Sequence, residues 1–491
     1  MTLPVDPYGH KQLFLDNYAI EEMSGVSRTL HQPNRLGPVL KPDPARGQTA
    51  LQSKSAPHWD PEKELWEWWY WSMYDELPGD MFASEGRVSH YATSTDGVNW
   101  HVPSLGLYKF RGSKDNNVAY DSSERDLALY HVIRDDDDSD AQRRFKAIFA
   151  TSQKLLDRLP GFSPDGFNWT FPETVPIPSK DTSNFHHDRE NEMFVGMVKH
   201  GTEWGRSVWV VTSDDFVHWT DPKLVLHTDL VDKENRKKRV EAIVNDPDYL
   251  SPPIYDGVDY VAEVYQMPQF RYEGVYIGFP VLFNPAGAIP PPHMNFCALN
   301  QTELAVSRDL NHWERVADRA LFLDVEPWDG VNFGTTQISV CGPPVRRGDE
   351  LWVYYGASRF RGHRELYTEV ADEFFVQRSA LCLGKLRLDG FVSLDATDRG
   401  IVTTRPFTID GGELHVNVDA GNGTVAAEVA DAETMAPLPG LSFDDTQPLS
   451  GDHVDGRLGW NGDAVPSGDR PVRLRFSLDD ASLYAFWMER V

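Results

Sequence analysis

Apolar and polar positions along the chain recur in a pattern that fits strands far better than helices. Five stretches leave a charged turn and run into an aromatic and β-branched segment: EKELWEWWYWSMY (62–74), AQRRFKAIFATS (141–152), RENEMFVGMVKH (189–200), YDGVDYVAEVYQM (255–267) and GDELWVYYGAS (348–358). Such side chains suit a pleated, half-buried surface, so each stretch predicts a strand. After four of them the next recognisable element is a polar tip: Ser94/Asp96/Trp100, Ser163/Asp165/Trp169, Ser213/Asp215/Trp219 and Ser307/Asp309/Trp313. Asp96-Gly97 and Asp165-Gly166 are turn dipeptides, and Asp bonds its own backbone two residues on. The tip therefore predicts a hairpin with a Trp packing anchor, an architectural feature rather than a chemical one. After the fifth strand, in LCLGKLRLDGFVSLDA (381–396), Asp389-Gly390 takes the turn.

Repeats of about 50 to 95 residues, each a small antiparallel sheet, are the signature of a propeller. The pattern predicts an all-β protein with a five-bladed β-propeller over residues 1–405, the uneven spacing being taken up by face loops at 222–252 and 268–301. Beyond about residue 405 the chain alternates apolar and polar residues between Gly, Pro and Asp turns, which predicts a C-terminal β-sandwich over 406–491. Helical periodicity is confined to TEVADEFFVQR (368–378) and SQKLLDRL (152–159).

Composition narrows the partners. A formal charge of -28 leaves no net positive field for nucleic acid or an anionic membrane. The 15 Trp suit both sheet packing and sugar stacking. Cys297, Cys341 and Cys382 form neither an even set nor a C-x-x-C spacing, so buried free thiols are expected. No basic segment followed by an apolar run opens the chain, and no stretch approaches the roughly 18 apolar residues of a membrane span, so the expected location is the cytoplasm.

The Ser-x-Asp-Leu-x-x-Trp hairpin of Ser307–Trp313, on five repeats followed by a sandwich, resembles the propeller glycosidases of glycoside hydrolase families 32, 43 and 68. The resemblance implies hydrolysis or transfer of a glycosyl unit, often a furanoside such as a fructoside or arabinoside, by carboxylates of the innermost strands. It implies an oligosaccharide or glycoside partner and no obligatory cofactor, and it allows a structural calcium ion near the axis. The family 32 motifs Asn-Asp-Pro-Asn-Gly, Arg-Asp-Pro and Glu-Cys do not occur, and Asp60 of HWDPEK sits in a turn, so no catalytic residue is carried over. Sialidases also use Asp-rich hairpins, with a different spacing.

The chemistry selects candidates instead. Glycoside cleavage needs one protonated and one ionised carboxyl group, and only innermost strands converge closely enough to supply both. Those strands are expected just before the aromatic ones, which points to Asp115 and Asp181 in successive blades, beside Asn117 and Asp188; turn capping is the competing role. Glu263 lies within an apolar strand, where a carboxylate is costly unless paired or functional. Asp16, in QLFLDNYAI, is placed near the axis if the N-terminal strand closes the ring. His363, where a face loop begins after the fifth aromatic strand, is a candidate for binding substrate or an axial metal, and Arg144, Arg271 and Tyr265 are candidate hydroxyl-binding groups. His186 and His187 point to opposite faces of a strand and do not readily share a metal ion. Besides hydrolysis, a non-catalytic carbohydrate-binding propeller and a propeller lyase or phosphorylase fit the same residues.

Overall fold

The computed structural model of the chain describes residues 5–74, 87–122, 127–151, 156–291, 295–361, 364–461 and 465–490. Its strands form a five-bladed β-propeller and a β-sandwich. Blade one runs from the innermost strand Ala50–Gln52 through Leu65–Met73 and Arg87–Ser94 to an edge that includes Val118–Tyr120. Blade two is Leu127–Arg134, Phe145–Thr151, Leu156–Ser163 and Ile177–Lys180. Blade three is Asn184–Asp188, Met193–Thr202, Gly205–Ser213 and Lys223–Leu226.

Blade four is bent, so its strands divide into an upper and a lower sheet. Glu263–Gln266 and Gln269–Tyr272 are innermost, Val275–Gly278 and Val281–Ala288 follow, then Phe296–Glu303 with Ala305–Ser307, and Glu314–Arg315 with Leu321–Leu323 at the edge. Blade five starts at Gln337–Val340, continues through Glu350–Ser358 and Ser379–Arg387, and takes Asn34–Leu40 as its outermost strand. That early segment closes the ring, with Ser379 of blade five paired to Ala50 of blade one.

Three sequence expectations change here. The stretch 255–267 leads into the innermost strand of blade four, whereas its fellows form second strands; the second strand of blade four lies inside 268–301, read as a loop because Pro268 and Pro280 break the alternation. Residues 222–252 hold the 15-residue helix α1, Leu230–Val244, whose weak apolar stripe gives little periodic signal. An Asp229/Asp232 capping box starts it, while Val240 and Ile243 bury against blade four. By contrast, 368–378 contains only a short 3₁₀ turn, Asp372–Val376, and the described part of 152–159 is strand.

The sandwich begins earlier than residue 406. One sheet joins Ser27–Leu30, Val392–Ala396, Ala481–Glu489, residues 413–420 and Leu449–Leu458; the other joins residues 424–431 and 472–479 with Gly400–Thr404 and Ile20–Ser24. Two chain segments, about 12–30 and 392–490, thus build it, and its core runs unbroken into blades four and five.

The Ser-x-Asp-x-x-x-Trp tips are staples between blades. In the first, Asp96 Oδ1 accepts the N–H groups of Val98 at 2.8 Å and Asn99 at 2.7 Å, while Ser94 Oγ accepts from Gly97 at 2.9 Å. The residue after each tip Asp is left-handed: Gly97 (φ 77), Gly166 (φ 82), Phe216 (φ 65) and Leu310 (φ 64). Glycine takes that conformation freely; Phe216 and Leu310 take it because each buries its side chain on the preceding blade. In the same way Tyr354 of blade five bonds Gly97 O at 2.8 Å, and Trp69 Nε1 of blade one bonds Gly166 O at 3.1 Å.

These hydrogen bonds hold the tip carboxylates Asp96, Asp165, Asp215 and Asp309 below the ordinary Asp range, against an opposing contribution from burial. A carboxylate depressed in the folded state contributes stability that is complete above its unfolded value of about 3.9 and is lost as pH falls towards the folded value. Denaturant midpoints are therefore expected to fall steeply below about pH 4. Asp96→Ala should cost about 0.5–2 kcal/mol at pH 7 and flatten that decline; an unchanged acid limb would show that the tips do not govern it.

Candidate active site

The first strands of the blades converge on a pocket at the end of the propeller away from the tips. Register fixes this geometry: Trp66 pairs with Ser94 at the tip end of blade one, and Met73 pairs with Arg87 at the pocket end. Every blade contributes to the lining, including Ser53 and Lys54 of blade one, Tyr130 of blade two, Asp181 and Thr182 entering blade three, Tyr265 of blade four and Ser339 of blade five.

Hydrogen bonds between blades tie the lining together. Lys54 Nζ donates to Gln266 Oε1 at 2.6 Å, and Gln266 Nε2 donates to Ser339 Oγ, linking blades one, four and five. Thr182 Oγ1 donates to the Tyr265 carbonyl at 2.7 Å, and the Ser183 N–H donates to Tyr130 Oη at 2.9 Å, linking blades three, four and two. Burial of these polar groups is affordable because they satisfy one another.

Two carboxylates stand beside this lining. Asp181, left-handed at φ 56, receives Lys199 Nζ at 2.5 Å, and its carbonyl accepts from Tyr130 Oη at 3.2 Å and from Arg158. Glu263 begins the innermost strand of blade four; its Oε2 accepts the Arg206 backbone N–H at 3.0 Å and the Arg206 guanidinium at 2.7 Å. Tyr265, two residues on and on the same strand face as Glu263, stacks on Phe283 at 6.1 Å. Lys199 Nζ lies 4.1 Å from the Tyr265 ring, and Arg206 and Arg361 lie 4.6 and 4.5 Å from the Phe283 ring. Tyr265 in the pocket wall is thus backed by the buried Phe283 ring and by cations, with Asp181 in the lining and Glu263 two residues along the strand.

Burial sets the protonation states. It pulls Lys199 down to about 8 even with Asp181 opposing, and pushes Tyr265 and Tyr130 up to about 12, so both phenols stay protonated donors at neutral pH. The same burial lowers Arg158 and Arg361.

Of the residues singled out by sequence, Asp181, Glu263 and Tyr265 come together here. Asp115 does not: it is exposed, ahead of the edge of blade one rather than on an innermost strand. Asn117 is buried under blade one, bonded to Tyr70 Oη at 3.0 Å and to His90 at 2.9 Å. Asp188 ends its strand at the tip end, where it caps Asn191 and accepts from Tyr276. Arg271 pairs with Glu190 at 2.7 Å and Arg144 lies 3.6 Å from Glu62, both also at the tip end. Asp16 is clamped by Arg308 at 3.0 Å, beside the tip of blade four; it misses the axis because Asn34–Leu40, not the first segment, closes the ring. His363 falls outside the described residues.

Sequence reasoning passed over Lys54, Lys199, Gln266 and Arg361. Lys199 had a usable signal, a lone cation closing the apolar run MFVGMV, which carries the same desolvation cost that drew attention to Glu263. Lys54 and Arg361 lie at strand ends with no such contrast. The axial calcium that the resemblance allows does not fit: Asp181, already paired to Lys199, is the carboxylate of the described lining, Lys54 and Arg378 bring positive charge to it, and no group of three His, Cys, Asp or Glu side chains placed to hold a metal occurs among the described residues.

No protein-family model matches the chain, and no curated protein matches it in sequence. Solved structures do. A glycosyl hydrolase from Bacteroides ovatus is 12% identical over 76% of this chain and 96% of its own, with a TM-score of 0.42. An N-acetylgalactosamine deacetylase from F. plautii, in complex with blood group B trisaccharide, is 14% identical over 74% of this chain and 96% of its own, at 0.39. An exo-β-1,3-galactanase from Phanerochaete chrysosporium, with galactose, is 10% identical over 92% and 99%, at 0.36.

Proposed function

We propose that the protein is a glycoside hydrolase that removes a sugar from one end of a small oligosaccharide in the axial pocket. The observation that carries this reading is an axial pocket lined by all five blades, with Asp181 and Tyr265 in its wall and Glu263 two residues from Tyr265 on the same strand. An aromatic face stacks on the apolar side of a sugar, while Tyr130, Ser339 and Gln337 offer hydroxyl partners. The links from Lys54 through Gln266 to Ser339 favour a chain end over a chain that threads the axis. The Lys199 ammonium holds the Asp181 carboxylate at 2.5 Å, an arrangement that suits a nucleophile or a base for water, and Glu263 serves the leaving oxygen when Arg206 turns from it to the substrate. A furanoside, fructosyl or arabinosyl, is the substrate that the motif resemblance suggests.

One observation favours a second reading. A lysine at about 8 is also a usable base, so Lys199 beside Tyr265 suits β-elimination from a glycoside. The two readings oppose each other in pH. Hydrolysis uses the ammonium to hold the Asp181 carboxylate in position, and that ammonium is present below about 8, so turnover should decline as pH rises through that value, and Lys199→Arg should remove the decline. Elimination needs the free amine, so turnover should rise through the same range.

The test is a panel of aryl and methyl glycosides, pyranosides and furanosides of both anomers, with short fructans and arabinans. Released reducing sugar supports hydrolysis. An unsaturated product absorbing in the ultraviolet supports elimination, and saturable binding with neither product supports a carbohydrate-binding module.

A further inference from the structure

The axial pocket is cationic in a protein whose formal charge is -28. Lys54, Arg158, Lys199, Arg206, Arg361 and Arg378 lie in or against its lining, and among the described residues Asp181 and Glu263 are the carboxylates there. Lys199 and Arg206 are matched by those two carboxylates.

Arg361 is different. The residue is only 4% exposed, and among the described residues no carboxylate lies within ion-pair distance of it. Among those residues its guanidinium meets only neutral acceptors, the Phe296 carbonyl at 3.4 Å, Gln337 Oε1 at 3.3 Å and the Tyr265 hydroxyl. Gln337 and Tyr265, whose ring lies 5.7 Å from the guanidinium, both line the pocket. A buried guanidinium with weak neutral partners is costly, and an anion arriving in a bidentate geometry recovers that cost.

Resting on the reading of the pocket as a sugar site, we propose that its substrate is an acidic sugar, whose anionic group, the carboxylate of a uronosyl residue or a sulfate ester, is held by Arg361 beside Tyr265. The aromatic wall takes the ring of the sugar, and Arg361 with Arg206 distinguishes its charge. A neutral sugar of the same shape leaves Arg361 as weakly partnered as before, so selectivity comes from the charge and not from the ring.

Titration calorimetry on the full chain tests this with methyl galactosiduronate, methyl glucosiduronate, their methyl esters, the parent methyl hexosides and galactose 6-sulfate. The ester keeps the shape of the uronide and removes its charge. At least one acidic probe should bind ten-fold or more tightly than its ester or parent sugar, and Arg361→Gln should erase that difference; tighter binding of the sulfate than of either uronide identifies a sulfate ester as the source. Should Arg361→Gln fail to fold, the wild-type comparison of acid with ester decides alone. Esters or parent sugars binding as well as the acids, silence from every acidic probe, or an unchanged preference in folded Arg361→Gln overturns the proposal. Turnover of neutral glycosides without charge preference would overturn it and leave the hydrolase reading standing. Charge-selective binding with no released sugar and no unsaturated product would do the reverse.

Discussion

Asp181→Asn should lower kcat by 10²-fold or more on any glycoside that the wild-type protein cleaves, with the fold intact. An acid or base that takes part in the transition state is worth about 10²–10⁴-fold. The amide cannot attack carbon or activate water, yet it is close in shape and still accepts a hydrogen bond from Lys199, 2.5 Å from the native carboxylate. Glu263→Gln should fall by a similar factor, because the amide retains an acceptor for the Arg206 bonds but cannot exchange a proton with the leaving oxygen. Controls lie outside the pocket: Asp115→Asn and Asp188→Asn should keep kcat within a few-fold, since Asp115 is exposed ahead of the blade-one edge and Asp188 caps a turn at the tip end. A loss of less than about ten-fold in both pocket variants would remove them from the chemistry. Stopped assays with sugar release read by mass spectrometry provide the measurement.

Trp69→Ala should cost about 3–5 kcal/mol of unfolding free energy, the range for truncating a buried aromatic. Trp69 is 4% exposed and reaches across two blades: its ring packs on Tyr91 at 5.0 Å within blade one and on Phe145 at 5.5 Å and Phe167 at 6.0 Å in blade two. Its indole N–H also holds the blade-two tip through Gly166 O. Truncation loosens a blade interface as well as a core, so the loss should sit at the upper end of that range. Gly166→Ala should be damaging for the converse reason. A Cβ there lies 2.4 Å from the Trp69 ring, and φ is 82, where a side chain is strained. Denaturant unfolding followed by tryptophan fluorescence reads both variants. A Trp69→Ala loss below about 1 kcal/mol would mean that the tips are decoration and not staples.

Much of the architecture was legible because it repeats. The Ser-x-Asp tips and aromatic strands carry strong local signals, turn chemistry and β-branched or aromatic packing, and the tips recur in four blades and the aromatic stretches in all five. Blade four shows where that legibility ends: Pro268 and Pro280 interrupt its alternation, so a continuous bent strand pair reads as loop with an isolated strand before it. Helix α1 escaped for a similar reason, since its identity rests on the Asp229 cap and on a few contacts with blade four. The early start of the sandwich was hidden because its N-terminal strands, Ile20–Ser24 and Ser27–Leu30, lie about 370 residues from their partners Gly400–Thr404 and Val392–Ala396 and carry no sign of that pairing.

The site was legible only in part. Glu263 stood out because a carboxylate in an apolar strand demands an explanation, and Tyr265 was singled out only as one of several candidate hydroxyl-binding groups. Asp181 was found by its place before an innermost strand, and Asp115 was misjudged by the same rule, because the strand that follows it is the edge of blade one and not the start of blade two. Of the cations around the pocket, Lys199 carried a signal that was passed over, and Lys54 and Arg361 carried none. Arg361 lies just past the second strand of blade five, and only the packing of that blade beside blade four brings it to the rings of Tyr265 and Phe283.

The measurement that bears most directly on the account is a crystal structure of Asp181→Asn in complex with a glycoside cleaved by the wild-type protein. The sugar should lie on the Tyr265 ring in the axial pocket, with its scissile bond between residue 181 and Glu263. A sugar bound elsewhere on the propeller or on the sandwich, with the axial pocket holding only solvent, would contradict it.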